Sequence, residues 1–209
     1  MSLPSMVNVV YTQTSGKQSL TFTCDENLMD YYRIGVEGNT LVVDTKPGII
    51  SLTPRVETIL TVNSPVLHEV RVSGSGNCSI DGPVTAEGGF SLHDTGSGAI
   101  HISGQVACAS FSVSTSGSGS IDIASITAES ADFKVSGSGG IIAHKITADK
   151  IDASTTGSGS IQLICDNVGN INASTSGSGS IHLSGRARSL VTKSTGSGQI
   201  NWKDLALPE

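Results

Sequence analysis

The stretch ASTSGSGSIHLSG, residues Ala173 to Gly185, joins a Gly-Ser string typical of flexible linkers to an Ile-His-Leu run in which apolar and polar residues alternate. The same combination returns along the chain, with 19 to 22 residues between successive copies. A recurrence this regular indicates a structural repeat and not a linker. The first glycines of the seven copies are Gly74, Gly96, Gly117, Gly137, Gly157, Gly177 and Gly196.

Apolar columns run through the repeats in register with these glycines. One column lies four residues after each first glycine, and the residue that follows it is mostly polar, as in a strand with one buried face. A second column lies about ten residues after the glycine, from Val84 to Ala187, and a third precedes the next glycine and places Phe133 in line with Phe111. The first column is the predicted core ladder and consists of Cys78, Ile100, Ile121, Ile141, Ile161, Ile181 and Ile200.

Three short strands in about 20 residues predict a coil that stacks on its neighbours at about 4.8 Å. We therefore expect an all-β fold, a right-handed parallel β-solenoid (β-helix) of about seven coils. The handedness follows from the general preference of parallel strand connections. The Gly-Ser-Gly units are the predicted corners, where glycine permits positive φ and lets neighbouring backbones approach closely. Ser or Thr precedes each first glycine and Ser follows it, so we expect these hydroxyls to hydrogen-bond along the stack.

Residues 7–62 lack the Gly-Ser-Gly unit but contain alternating runs, and Gly38-Asn39 between two of them predicts a hairpin. We expect this segment to cap the solenoid, because an open stack of strands exposes edges that favour aggregation. Residues 63–209 form the predicted repeat region, with Trp202 to Glu209 as its C-terminal cap. The two parts are expected to make one continuous domain.

The chain resembles a known family in three places: GNTLVVDTKPG from Gly38, ILTVNSPVLHEVRVSGSG from Ile59, and the repeated SGSGSI. It is similar to bacterial envelope proteins described as "putative autotransporter adhesin, head GIN domain", formerly a domain of unknown function. The resemblance extends from about Val7 to Leu205. It implies a β-helical protein of Bacteroidetes, exported to the periplasm or cell surface, and it implies no catalytic residues.

Charge and hydropathy limit the classes of partner and the cellular compartment that we expect for this chain. A formal net charge of -6 with scattered Lys and Arg argues against nucleic acid as a partner. The chain has no apolar run near 20 residues and no signal-peptide pattern, so an exported protein would need a leader that this sequence does not contain. The four cysteines, Cys24, Cys78, Cys108 and Cys165, form no metal-binding spacing and are expected to be small buried apolar residues, the alternative being a disulfide or a reactive thiol.

Candidate chemistry is sparse, and we predict no metal and no cofactor. Asp122 in GSGSID superficially resembles a calcium-binding β-roll, but the other repeats lack that Asp. His101 and His182 share a column four coils apart, too far apart to share a metal. Asp132 and Asp152 are predicted on adjacent coils with Lys134 beside them. Carboxylates about 5 Å apart occur in retaining glycosidases, whereas the simpler interpretation is a solvated strand face.

These observations favour a non-catalytic envelope or surface module, an adhesin-like β-helix that presents a rigid surface to a protein or glycan. The alternative is a β-helix that binds or cleaves carbohydrate. Sugar-binding sites use exposed aromatic rings, whereas those of the repeats, Phe90, Phe111, Phe133 and Trp202, fall in predicted core or cap columns. The sequence therefore favours the non-catalytic module.

Overall fold

The computed structural model describes residues 1–3, 7–47 and 52–208, and nearly all of its regular structure is β. A 3-10 helix spans Glu26–Tyr31. The strands are β1 (Ser2–Leu3), β2 (Asn8–Gln13), β3 (Ser19–Thr23), β4 (Tyr32–Glu37), β5 (Thr40–Thr45), β6 (Ile59–Ser64), β7 (Glu69–Val72), β8 (Cys78–Asp81), β9 (Val84–Asp94), β10 (Ala99–Thr115), β11 (Ser120–Val135), β12 (Gly140–Thr155), β13 (Ser160–Thr175), β14 (Ser180–Ser194) and β15 (Gln199–Ala206).

Strands β9 to β15 stack in sequence order, β8 lies beside β9 and pairs with another part of β10, and all these pairings are parallel. Each strand from β10 to β14 follows almost a whole coil, from one Gly-Ser-Gly corner to the next. Its pairing is interrupted twice, which divides the sheet into ladder A, ladder B and ladder C. In β10 these are residues 99–102, 105–107 and 110–115. The predicted β-solenoid of about seven turns is thereby confirmed.

The ladder of first-column residues lies in ladder A, where Ile100, Ile121, Ile141, Ile161, Ile181 and Ile200 are paired coil by coil. The first five of these side chains are almost completely buried, and Cys78 begins the ladder beneath Ile100. Ile200 is half-buried, because no described strand pairs with the outer edge of β15. Burial of one such side chain stabilises the fold by roughly 1.5 to 3 kcal/mol.

The other two columns differ in register from the sequence-based alignment. Phe111 pairs with Ala131, and Phe133 pairs with Val113. The two partners of each pair keep the same distance from the glycine that follows them, since Phe111 and Ala131 are each six residues before a first glycine and Val113 and Phe133 are each four residues before one. The corner therefore sets the register of ladder C. The rings of Phe90 and Phe111 still stack with centroids 6.1 Å apart, and the ring of Phe133 is tilted against that of Phe111 at 6.0 Å.

Ladder B contains a second shift. Cys165 pairs with Ile146, while Val168 pairs with Ala148. The alignment of Val168 with Ile146 expected from spacing alone was wrong, because irregularities in pairing on both sides of Ile146 change the local register. All four side chains remain buried, so the irregularities adjust the length of a coil without opening the core.

The N-terminal part of the chain is woven into the solenoid. In ladder A, β2 lies between β6 and β8 and is parallel to both. In ladder C, β1 lies between β5 and β7, again parallel to both. Two strands that come first in the sequence thus lie inside the stack, between strands that come later. The predicted boundary between residues 62 and 63 falls within β6, and the division into cap and repeat region stays a prediction.

Two antiparallel elements end the stack on the N-terminal side. Strand β3 pairs with the outer edge of β6, and β4 pairs with β5 as a hairpin. Gly38, at the first central position of the hairpin turn, has a φ of 61°, as a type II′ turn requires. The hairpin predicted from Gly38-Asn39 is confirmed. The last residue of the predicted C-terminal cap, Glu209, lies outside the described residues.

Candidate functional site

The patch predicted from Asp132, Lys134 and Asp152 lies on the outer side of ladder C. Asp132 of β11 pairs directly with Asp152 of β12, so their carboxylates lie on adjacent coils. The Nζ atom of Lys134 is 3.1 Å from Oδ2 and 3.0 Å from Oδ1 of Asp132. The structure therefore brings the three predicted residues together on one polar surface.

Two further residues complete this patch. The Nζ atom of Lys150 is 2.6 Å from Oδ2 of Asp152, and the side-chain amide of Asn172 donates a hydrogen bond of 2.8 Å to Oδ1 of the same carboxylate. The hydrogen bond from Lys150 is the main cause of a pKa of Asp152 below its ordinary value. Alternation would have revealed Lys150, because it is two residues before Asp152 in the same strand and so shares its face.

The Gly-Ser-Gly corners form a second continuous surface beside ladder C. The carbonyl oxygen of Gly117 accepts hydrogen bonds from the backbone N–H groups of Ser138 and Gly139, both at 3.1 Å. Equivalent bonds join Gly137 to the next corner and Gly157 to the one after. The string that resembles a linker is therefore hydrogen-bonded layer by layer.

Glycine is needed at these corners because the coils approach closely, and positive φ is the exception. A Cβ atom at Gly137 would come within 3.0 Å of the carbonyl oxygen of Gly117 in the previous coil. Of the seven predicted first glycines, Gly196 alone has a positive φ, at 102°. We expected the corners to rely on positive φ, and this was wrong for the interior coils. The close approach of neighbouring backbones, which we also expected, is confirmed for them.

The exposed hydroxyls of the corners do not hydrogen-bond to one another in the described part of the chain, contrary to expectation. The Ser and Thr residues on either side of each first glycine are exposed. The hydroxyls that bond along the stack are buried instead, two residues before the first glycine: Oγ1 of Thr155 donates to Oγ1 of Thr175 at 2.9 Å. The outer rows are thus left available to solvent or to a partner.

The buried polar column begins at Asp94, which is only 1% exposed. Its Oδ1 accepts the backbone N–H of Gly96 at 2.9 Å, and its Oδ2 accepts the hydroxyl of Thr115 at 3.2 Å. Burial raises the pKa of Asp94 above its ordinary value. Sequence reasoning missed this column. Alternation could have revealed it, because a residue two places before a first glycine lies on the same face of the strand as the buried apolar residues that precede it.

Histidines cluster around Asp122, the residue considered for calcium. Nδ1 of His101 is 3.5 Å from Oδ1 of Asp122, and Nε2 of His144 is 3.2 Å from Oδ2. His182 lies near Asp204, with 3.7 Å between Nε2 and Oδ2. Within residues 1–3, 7–47 and 52–208 no group of three side chains has the arrangement of a metal site.

Trp202 differs from expectation. It was predicted in a core or cap column, but its side chain is 47% exposed. The pairing between β14 and β15 is interrupted after His182, so Trp202 has no ladder partner in β14. The three phenylalanines of the repeats are buried.

The thiols and one cleft complete the chemically notable features. Cys78 and Cys165 are buried, and desolvation raises the pKa of each thiol to about 12. None of the four cysteines, all of which the structure describes, forms a disulfide. A shallow cleft of about 280 Å³ lies over Gly169, with Asp149, Arg186 and Arg188 at its rim.

A family model described as "Putative auto-transporter adhesin, head GIN domain" matches residues 3–167 and 146–209. The chain belongs to this family. The two matches overlap within the repeats, as expected where a repeated unit can be aligned in more than one register. The identity proposed from the Gly-Ser-Gly repeats is thereby confirmed. A comparison with curated proteins gives no match.

Solved structures share the fold of this chain. A "putative adhesin" from Bacteroides fragilis superposes with a TM-score of 0.83 at 24% identity, over 96% of this chain and 92% of that one. A "putative adhesin" from Parabacteroides merdae gives 0.79 at 20% identity, with the same coverage of both chains. A "putative lipid binding protein" from Parabacteroides distasonis gives 0.70 at 26% identity, again over 96% and 92%. In the described residues no helix is long and apolar enough to cross a membrane.

Proposed function

We propose that this chain is a non-catalytic module of the bacterial cell envelope or surface, and that it binds a surface protein or glycan. The outer side of ladder C and the adjoining Gly-Ser-Gly corners form the binding surface. Membership in the head GIN domain family is the observation that carries this proposal. The neighbours called adhesins come from Bacteroidetes, which supports a location outside the cytoplasm.

The physical argument for binding rests on rigidity. Every layer of the corner is held to the next by backbone hydrogen bonds of about 3 Å, and the side chains beneath it are buried. A preformed polar surface loses little conformational entropy when it meets a partner. The exposed Ser and Thr rows, together with Asp132, Lys134 and Asp152, supply donors and acceptors at the strand spacing of about 4.8 Å.

The carbohydrate-cleaving alternative requires a carboxyl group that stays protonated near neutral pH. Lys150 has the opposite effect on Asp152, because it holds the pKa of that carboxyl below its ordinary value. We therefore expect no release of reducing ends or unsaturated products from acidic or neutral polysaccharides. Turnover that disappears in both Asp132→Asn and Asp152→Asn would overturn the non-catalytic proposal.

The neighbour described as lipid-binding raises a second question, since a β-solenoid could in principle enclose a lipid. Here the interior columns of ladders A, B and C are occupied by buried side chains from Val84 to Ala187. A lipid would have to bind on the outside, where the ladder C surface is polar. We therefore place the binding function on the polar surface and not in the core.

The binding proposal is tested by screening the immobilised protein against surface proteins and glycans, and then repeating the measurement with Asp132→Lys/Asp152→Lys. This variant reverses two charges within the patch, and we expect the Kd to rise at least about tenfold, which corresponds to 1.4 kcal/mol. The matched control is Asp81→Lys/Glu87→Lys, which makes the same charge change at exposed positions of β8 and β9. Equal affinity of the two variants would show that ladder C is not the binding surface.

The envelope location has its own test. Protease treatment of intact cells of the source bacterium, compared with treatment after release of the periplasm, should degrade the protein in at least one of the two. Full protection in both, with degradation only after cell lysis, would contradict an exported location.

A further inference from the structure

The two ends of the solenoid have matching steps. At the C-terminal end, β15 pairs with β14 only as far as the pair Arg186 and Ala206. Residues 189–194 of β14 pair with β13 on one side, and no described strand lies on their other side. Ladder A therefore extends one layer further than ladder C at this end.

At the N-terminal end the step is reversed. Ladder A runs β3-β6-β2-β8-β10-β11-β12-β13-β14-β15, and ladder C runs β4-β5-β1-β7-β9-β10-β11-β12-β13-β14. Each ladder has ten layers, but the two are offset by one. Below β10, ladder C contains one more layer than ladder A. Strand β4 therefore projects one layer beyond β3. A copy placed on top would bring β4 into the open layer beside residues 189–194.

Exposed apolar side chains concentrate at these same ends. Nine large apolar residues are exposed in the described chain, and eight of them lie within residues 20–56 or 191–207. Val36 on β4 is 71% exposed, and Val191 on β14, which pairs with Asn172 and lies in the last layer of the outward row of ladder C, is 62% exposed. The one outside these ranges is Val66, between β6 and β7. An apolar patch on a soluble protein commonly marks an interaction site.

The two ends also differ in charge. Residues 17–47 and 52–57, which lie at the N-terminal end, contain six acidic and four basic side chains. Residues 186–209 contain four basic and two acidic side chains. An end with net negative charge thus faces an end with net positive charge when copies stack head to tail, whereas two like ends would repel each other.

We infer that copies of this protein assemble head to tail, with the β4 edge and the β3 edge of one copy pairing with β14 and β15 of the next. Strands β3 and β4 run antiparallel to their neighbours, so both new pairings are antiparallel. The core columns then continue through the junction. Such a heterologous contact does not close on itself and produces rods. Ten layers at about 4.8 Å give an axial repeat of about 48 Å. This assembly does not depend on what the lateral surface binds.

The test uses sedimentation velocity over a range of protein concentrations, with negative-stain microscopy at the highest. We expect the mass to rise with concentration, rods with the stated repeat, and weaker assembly at high salt. Val36→Lys alters the N-terminal end and Thr192→Lys the C-terminal end. Both residues are exposed, so both variants should keep the wild-type circular dichroism and melting temperature. Each variant alone should remain monomeric.

A mixture of these two variants decides the geometry. Each retains one intact end, and a head-to-tail contact can join the intact C-terminal end of Val36→Lys to the intact N-terminal end of Thr192→Lys. The mixture should therefore form heterodimers and no longer species. Val66→Lys, the matched control on the lateral surface, should assemble like the wild type. Three results would each overturn the inference. They are a wild type that is monomeric at every concentration, a mixture that stays monomeric, and a Val66→Lys variant that assembles as poorly as the two end variants.

Discussion

At the residue scale, inward and outward positions alternate within a strand, and neighbouring residues differ sharply in what they tolerate. Ile161 is 1% exposed in the core ladder, whereas Gln162 points outward and is exposed. Ile161→Asp places a carboxylate in the core without a partner, so we expect this variant not to fold. Gln162→Asp should change the free energy of unfolding by no more than about 0.5 kcal/mol. Thermal melting of both proteins measures the difference, and equal melting temperatures would contradict the register of the ladder.

Asp94 makes stability depend on pH. Because burial raises its pKa in the folded state, folding favours the protonated form. Its contribution to stability is fully present below the pKa of an unfolded Asp and is lost as the pH rises through the folded value. Asp94→Asn should therefore stabilise the protein near pH 7 relative to the wild type, and the gain should shrink toward pH 3.

Chemical denaturation at several pH values measures this gain. The exposed Asp81→Asn removes the same charge from β8 and serves as the control. A gain for Asp94→Asn that is the same at every pH would contradict the argument from burial. A gain that appears equally in Asp81→Asn would point to net charge instead.

The residue scale also shows what the sequence could and could not predict. The Ile ladder follows from alternation and from one glycine-anchored spacing. The alignment of Phe133 with Phe111 is two residues out of register, because Phe133 pairs with Val113, which has the same distance to the next corner. Lys150 and Asp94 lie on faces that alternation assigns correctly, but their partners in other coils depend on the register. Trp202 is exposed because the pairing of β15 is interrupted, and no local sequence feature predicts that interruption.

At the scale of the element, the corner is the part of the coil that tolerates least change. A Cβ at Gly137 would collide with backbone carbonyl oxygens of Ser116 and Gly117, while a Cβ at Gly140 would meet only the hydroxyl of Ser160 at 3.4 Å. Backbone atoms of a stacked coil cannot move aside without breaking hydrogen bonds. We expect Gly137→Ala to destabilise the protein by about 2 kcal/mol or more, and Gly140→Ala to be nearly neutral.

Urea denaturation of these two alanine variants tests the role of the corner. The pair is well matched, since Gly140 begins β12 only three residues after Gly137 and both changes add one methyl group. If the two substitutions lower the free energy of unfolding equally, the corner glycines would serve only to provide flexibility. A larger cost at Gly140 would exclude close approach of the coils as the reason for glycine.

At the scale of the whole molecule, stability should fall from the middle of the stack to its ends. Strands β11, β12 and β13 each have a paired neighbour on both sides along their whole length. Strands β4 and β15 each have one. In a stack where coils contact only their nearest neighbours, the ends open more often than the centre.

Hydrogen exchange followed by mass spectrometry should show this gradient. We expect the slowest exchange in β11 to β13 and the fastest in β4, β15 and residues 189–194, at a concentration where the protein is monomeric. Raising the concentration should slow exchange at the two ends if copies stack. Uniform protection from end to end would show that the molecule opens only as a single unit.

The whole-molecule topology could be predicted only in part. The repeats predict a solenoid because each coil pairs with the next one in sequence. The positions of β1 and β2 cannot be derived in this way, because each lies between two strands that are distant in sequence. Such pairing is determined by which edges remain open when the chain has collapsed, and alternation within a strand says nothing about it.

The placement of β2 has a consequence for synthesis on the ribosome. Residues 8–13 leave the exit tunnel early, yet both of their partners, β6 and β8, are translated later. Strand β2 therefore cannot be paired on both edges until about residue 81 has emerged. Since chains grow at about 5 to 20 residues per second, the beginning of this protein stays incompletely paired for several seconds. For the exported module proposed above, this strand order delays folding of the N-terminal end for that interval.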